Sequence, residues 1–153
     1  MLVDYSFYET RNSSTIRRVL SQQDVKDFMF LELPEGPMVF DLARLMDQKY
    51  TIYAMRVNLE LAGIALFDKN EEEAVVDVAF LPKFRGKDAK ILAKNVILDY
   101  IERNRIRVLT GKIRRNNLRS LLFARWNNFK IVSSDDTYHY VRCEHYGRTL
   151  ESS

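Results

Sequence analysis

The sequence predicts an α+β domain, and three features carry that reading. A middle third of β-branched and aromatic runs is joined by short polar connections; the stretch after it repeats apolar residues at helical spacing; strand-like and helix-like segments then alternate toward the C-terminal end. The 153 residues, 46% apolar and 29% charged, fit one domain. That domain is expected over residues 1–146, with 147–153 as a disordered tail.

Residues 2–8 read as a short strand. Asn12, Ser13, Ser14 and Thr15 supply N-cap candidates for a helix through Val19 and Leu20. A second helical stretch runs from Asp24 to Phe30, residues 33–37 make a Pro/Gly loop, and 38–47 set Val39, Leu42, Ala43 and Met46 on one helical face. Residues 50–57, 61–67 and 74–81 form an antiparallel meander; in the last of these Val76, Val78 and Phe80 alternate against Asp77 and Ala79. From Asp88, Ala89, Leu92, Ala93, Val96, Ile97, Tyr100 and Ile101 follow 3.6-residue spacing, with Asp88 placed as the cap. A strand over 105–113, a helix over 117–126 and a strand pair over 129–133 and 137–144 complete the order. Tyr50, Tyr53, Phe67 and Phe80 belong in the core, and Phe84 sits in a loop outside it.

Composition removes several classes of function. No apolar run approaches the ~18 residues that cross a bilayer, and residues 1–4 lead straight into polar sequence without the regions of a signal peptide. The one cysteine excludes an internal disulfide framework and suits a reducing, cytoplasmic compartment. His139, Cys143 and His145 share strand parity, but neighbours two apart stand ~7 Å from each other and do not converge on a ~2 Å metal bond, so no metal site is expected. The net charge of +3 hides an asymmetry: residues 1–81 hold 8 Lys+Arg against 14 Asp+Glu, and residues 82–153 hold 16 against 7. Arg114, Arg115, Arg119 and Arg125 lie near Trp126, yet aromatic residues are sparse among them and no base-reading motif appears. An acidic protein or self-association is the expected use of that basic face, rather than nucleic acid or membrane.

This element order, with a strand leading through Phe80, Leu81, Pro82, Lys83, Phe84, Arg85, Gly86 and Lys87 into a helix, resembles the GCN5-related N-acetyltransferase (GNAT) fold over residues 50–145. The resemblance implies a central mixed, mostly antiparallel sheet flanked by helices, with acetyl-CoA and an amine as partners. In that family a loop of the form Arg/Gln-x-x-Gly-x-Gly/Ala wraps the diphosphate of acetyl-CoA, and Arg85 takes its first position. Arg85, Gly86, Lys87, Asp88, Ala89 and Lys90 are therefore the implied diphosphate residues, helped by the free amides and dipole of a helix N-terminus. The backbone near Ala79 and Leu81 is implied as the partner of the pantetheine arm. A second block, Asn117 and Ser120 followed by Phe123, Asn128 and Phe129, is similar to the family's next helix-to-strand motif and makes Asn117 and Ser120 cofactor contacts. Asn128 replaces a glycine there, and asparagine is the residue that best tolerates the left-handed conformation after glycine.

The departures bear on function. Asp88 and Lys90 occupy the small-residue positions of the loop, and a carboxylate ~4 Å from a phosphate charge costs about 1 kcal/mol when well hydrated and about 4 at an effective dielectric of 20. Ala124 stands seven residues after Asn117, where many members carry a tyrosine acid. Asp77, the carboxylate on the central strand, is the candidate general base for an amine that is protonated at neutral pH. Two functions are expected from this: an acetyl-CoA-dependent N-acyltransferase-like protein, impaired in its loop and its acid, or a non-catalytic GNAT-fold binding or assembly protein. The second is in keeping with a softer likeness of the Phe80–Lys87 block to acetyltransferase-like proteins of tailed phages, some associated with head assembly, and would place the chain in a bacterial or phage-infected cell.

Overall fold

In this computed structural model, which describes residues 2–21 and 50–144, the chain runs β1 (Tyr5–Glu9), α1 (Ser13–Leu20), β2 (Thr51–Val57), β3 (Glu60–Asn70), β4 (Glu73–Phe80), a 3-10 turn (Pro82–Phe84), α2 (Lys87–Asn104), β5 (Val108–Arg114), α3 (Leu118–Trp126), β6 (Lys130–Ser134) and β7 (Tyr138–Cys143). The described strands make one seven-stranded sheet in the order β1-β2-β3-β4-β5-β7-β6. Neighbours are antiparallel throughout except β4 with β5, which run parallel because α2 crosses between them. The α+β class and the mixed, mostly antiparallel sheet thus stand as expected. The helices expected over 24–30 and 38–47, and the tail, lie outside the described residues.

Local chemistry accounts for the helix starts, with one correction. Asn12 caps α1, its side chain accepting the Thr15 amide at 3.0 Å, and Ile16, Val19 and Leu20 face the core. α2 begins one residue before Asp88, and its N-cap is Gly86 at φ 99°. That backbone angle suits glycine and not an L side chain, so the turn fixes the helix start at Gly86 and leaves Asp88 inside the first turn. The inner side of α2 is as the spacing predicts: Ala89, Leu92, Ala93, Val96, Ile97 and Tyr100 are buried.

α2 is attached to the sheet by an aromatic cluster. Tyr100 stacks on Phe67 with centroids 3.9 Å apart and planes 12° from parallel, and Tyr53 stands edge-on to both, at 5.8 Å and 6.4 Å. Such pairs add about 0.5–1.5 kcal/mol each beyond burial. Phe84 also belongs to this core, which corrects its assignment to an outside loop. The 3-10 turn, closed by the Phe84 amide on the Leu81 carbonyl at 3.0 Å, curls its ring back under the strand and leaves it 5% exposed.

The β4–β5 pairing is short. Glu73, Ala74 and Val75 pair with Val108, Leu109 and Thr110, after which β4 continues to Phe80 on β3 alone and β5 continues to Arg114 on β7 alone. Gly63 lets β4 hold this course. A Cβ there would lie 2.4 Å from the Ala79 carbonyl oxygen and 2.8 Å from the Phe80 ring. Gly63→Ala should therefore destabilise the fold by about 1–3 kcal/mol through overpacking, read as a lowered urea midpoint at unchanged slope.

At the far end of the sheet, Asp135 ties the β6–β7 turn. Its carboxylate accepts from the Tyr140 hydroxyl at 2.6 Å and from the amides of Tyr138 and Thr137 at 2.6 Å and 2.8 Å. The Tyr140 hydrogen bond first, then the two amides, hold its carboxyl below the ordinary aspartate value. A depressed folded value means stability that is present above the unfolded pKa of about 3.9 and is lost as pH falls through the folded one. Asp135→Asn should be less stable than the parent at pH 6, and the difference should narrow steadily as pH falls below about 4 in paired urea melts.

Candidate functional site

The split between β4 and β5 opens a cavity of about 1020 Å³. This is at the top of the ~300–1,000 Å³ range of ligand sites and leaves room for an extended molecule. Because the strands part, the wall takes residues from both faces of β4, Val76 through Phe80. It continues through Gly111 and Ile113 of β5, the start of α2 and much of α3, from its inner side round to the exposed Leu122 and Trp126.

Strand parity decides which backbone groups face this space. The Leu81 amide donates to the Ala62 carbonyl at 2.8 Å, so odd-numbered residues of this strand turn their main-chain groups toward β3. The Glu72 carbonyl accepts from Arg107 at 2.7 Å and the Phe80 carbonyl from Arg85, so even-numbered residues turn toward β5. Beyond Val75 the groups offered to the cavity are those of Val76 and Val78 and the Phe80 amide, the Phe80 carbonyl being taken by Arg85, and not those of Ala79 and Leu81. Ala79 contributes its side chain to the wall; Leu81 is not on it, and its carbonyl accepts from Phe84. Side-chain alternation alone identifies the faces of a strand but not which edge its amides point to.

At the entrance to α2, Gly86 has no side chain with which to cap the helix. The first helical bond is Lys90 N–H to the Gly86 carbonyl at 3.1 Å, which leaves the amides of Lys87, Asp88 and Ala89 without intrahelical acceptors. Gly86, Ala89 and Lys90 lie on the cavity wall, whereas Lys87 and Asp88 do not. The charged side chains of the loop are engaged nearby. Arg85 places Nε and an Nη on the Phe80 carbonyl at 3.1 Å and 3.0 Å. Asp88 accepts from the Tyr5 hydroxyl at 2.7 Å, a partner 83 positions away, and this hydrogen bond raises the Tyr5 phenol above its ordinary pKa. Lys90 sets its ammonium 5.2 Å from the centre of the Trp126 ring, bridging α2 to α3.

α3 carries the second block. Asn117 is its N-cap, accepting the Ser120 amide at 3.1 Å and donating to the Ser120 hydroxyl at 2.8 Å; both residues line the cavity while bound to each other. Ala124 is buried on the same wall, and Asn128 ends the helix at φ 69°, the left-handed geometry expected of it. Asp77, 7% exposed, is on the wall as well. Its cross-strand neighbour is Leu66, on the sheet face away from the Phe67–Tyr100 stack. Asp77 is the wall's one carboxylate among the described residues, against Arg85, Lys90 and Arg119. Sequence reasoning missed Tyr5 as the partner of Asp88, Gly63 behind Phe80, and Leu122 and Trp126 at the mouth. Only Gly63 left a signal, as a glycine inside a strand. At the sheet edge, His139 shares a hydrogen bond with Ser134 at 2.6 Å, and Cys143 is buried.

No protein-family model and no curated protein matches the sequence. Solved structures do. The N-acetyltransferase PseH of Campylobacter jejuni is similar at TM-score 0.68 and 16% identity, over 92% of this chain and 97% of that one. A GNAT-family acetyltransferase from Bacillus anthracis is similar at TM-score 0.70 and 14% identity, over 93% and 94%. The chain has the GNAT fold. A further match is PseH in complex with acetyl coenzyme A, at TM-score 0.65 and 15% identity over 94% of this chain and 99% of that one. The GNAT fold accounts for the split strands and for a helix entrance beside them; it leaves the acceptor, and any phage origin, open.

Proposed function

We propose that the chain is an acetyl-CoA-dependent N-acyltransferase whose cavity takes the thioester arm between β4 and β5. The observation that carries this is the strand split, which turns the main-chain groups of Val76 and Val78 and the Phe80 amide into a cavity that also meets the uncapped start of α2. An extended, amide-bearing arm fits such an edge as an added strand would. The amides of Lys87, Asp88 and Ala89 fit a phosphate.

Acetyl-CoA would supply the acyl group as a thioester, which exchanges its C–S bond for a C–N bond to the amine. The residues of the chain do the rest. Asp77, buried on the wall, takes the proton that the attacking ammonium must lose. Ala124 cannot donate to the departing sulfur, so that proton comes from water. Tyr5 keeps the Asp88 carboxylate off the helix amides, which removes much of the conflict that the loop sequence implies. The acceptor is an amine. A second reading, a binding protein that keeps the cleft without chemistry, draws on Ala124 in the tyrosine's place.

Acetyl-CoA at 100 times its dissociation constant should stabilise the chain by about 2.7 kcal/mol, roughly 5–10 °C in melting temperature. No shift at millimolar acetyl-CoA would sink the proposal. With an amine acceptor in hand, Asp77→Asn should cut turnover by about 10²–10⁴ while leaving that shift intact; a shift with no turnover on any amine favours the binding reading.

Tyr5→Phe releases the Asp88 carboxylate beside the phosphate position. Affinity for acetyl-CoA should fall by about fivefold, equivalent to about 1 kcal/mol of hydrated charge repulsion. Asp88→Asn in the same background should restore it, as measured by calorimetric titration.

A further inference from the structure

We propose that the exposed side of α3 is a docking surface for an acidic carrier protein that presents an acyl group to the cavity on a phosphopantetheine arm. This rests on the reading of the cavity as a thioester site. Leu118, Leu122 and Trp126 recur at every fourth residue of α3 and are 65%, 65% and 52% exposed, which makes one apolar stripe along the helix. Each residue advances about 100° around a helix, so Arg125 falls about 20° to one side of the stripe and Arg119 about 20° to the other. Both arginines are exposed, and neither guanidinium makes a hydrogen bond or an ion pair among the described residues. Arg119, Leu122 and Trp126 also line the cavity, so the stripe ends at its mouth.

Charge selects the occupant. The stripe lies in the half of the chain where Lys+Arg exceed Asp+Glu by 16 to 7. A protein with an acidic rim around an apolar patch complements leucines and a tryptophan edged by free guanidinium groups. The phosphate ligands agree with this choice. Arg85 is bound to the Phe80 carbonyl, Lys90 rests on Trp126, and Tyr5 holds Asp88, so the helix start offers its main-chain amides. Those amides suit the single phosphate of a carrier's arm as well as a phosphate of acetyl-CoA. The transfer is unchanged: the C–S bond of the thioester breaks, the C–N bond forms, Asp77 takes the amine proton, and the arm's thiolate is protonated by water.

The test compares two donors on the full chain: acetyl-loaded bacterial acyl carrier protein, followed by surface plasmon resonance, and acetyl-CoA, followed by thermal shift. Leu118→Ser and Arg125→Glu lie off the cavity wall. Each should weaken carrier binding about tenfold or more and leave the acetyl-CoA shift unchanged, and Arg125→Lys should recover most of the binding. The proposal is overturned if acetyl-CoA binds and the carrier does not, or if both variants bind the carrier as the parent does. It is equally overturned if light scattering finds a dimer that Leu118→Ser disperses, because the stripe then belongs to a second copy. Failure of both donors on the parent chain overturns the thioester reading and this inference together.

Discussion

A parallel strand pair that stops after three residues is the constraint on which the rest of the molecule depends. Main-chain amides and carbonyls inside a protein need partners, and on β4 those from Val76 to Phe80 that point toward β5 have lost their strand. The chain meets this with a lined cavity and with one substitution for the missing neighbour, the Arg85 fork on the Phe80 carbonyl. The parallel direction forces a long crossover, and that crossover is α2, whose uncapped start is delivered beside the same gap. Cavity, uncapped helix amides and arginine fork are thus three results of one topological decision.

Around that gap, charge is arranged by reach rather than by position in the sequence. Asp88 would compete with an anion for the helix amides if its carboxylate were free, and a phenol brought in by β1 holds it. Lys90 would fill the space that a small residue leaves open, and the indole of α3 draws it across the mouth. Two departures from the family loop are each absorbed by an aromatic residue on another element, and the first turn of α2 still reaches the cavity.

Much of the fold was legible in the sequence because its determinants are local. Periods of two and 3.6 marked the described strands and helices, Asn12 carried the cap of α1 beside it, and Asn128 announced a left-handed residue by its own chemistry. What escaped was settled at long range. Whether Ala79 or Phe80 faces the cavity depends on hydrogen bonds to Ala62 and Arg85, which alternation of side chains does not encode. Asp88 read as a cap because the geometry of Gly86 and the arrival of Tyr5 are invisible in a window of ten residues. Phe84 read as a loop residue because a short turn between strand and helix carries no period, although it folds its ring into the core.

The parity of β4 has an evolutionary consequence. An edge that meets its ligand through amides and carbonyls is indifferent to most side-chain replacements along it, provided the strand keeps its register. Gly63 and the β3 ladder guard the register, and residues 76 to 80 are left to vary with the packing on either face. Chains only 14–16% identical to this one share its fold. A sheet built this way can change the side chains around its cleft without being rebuilt.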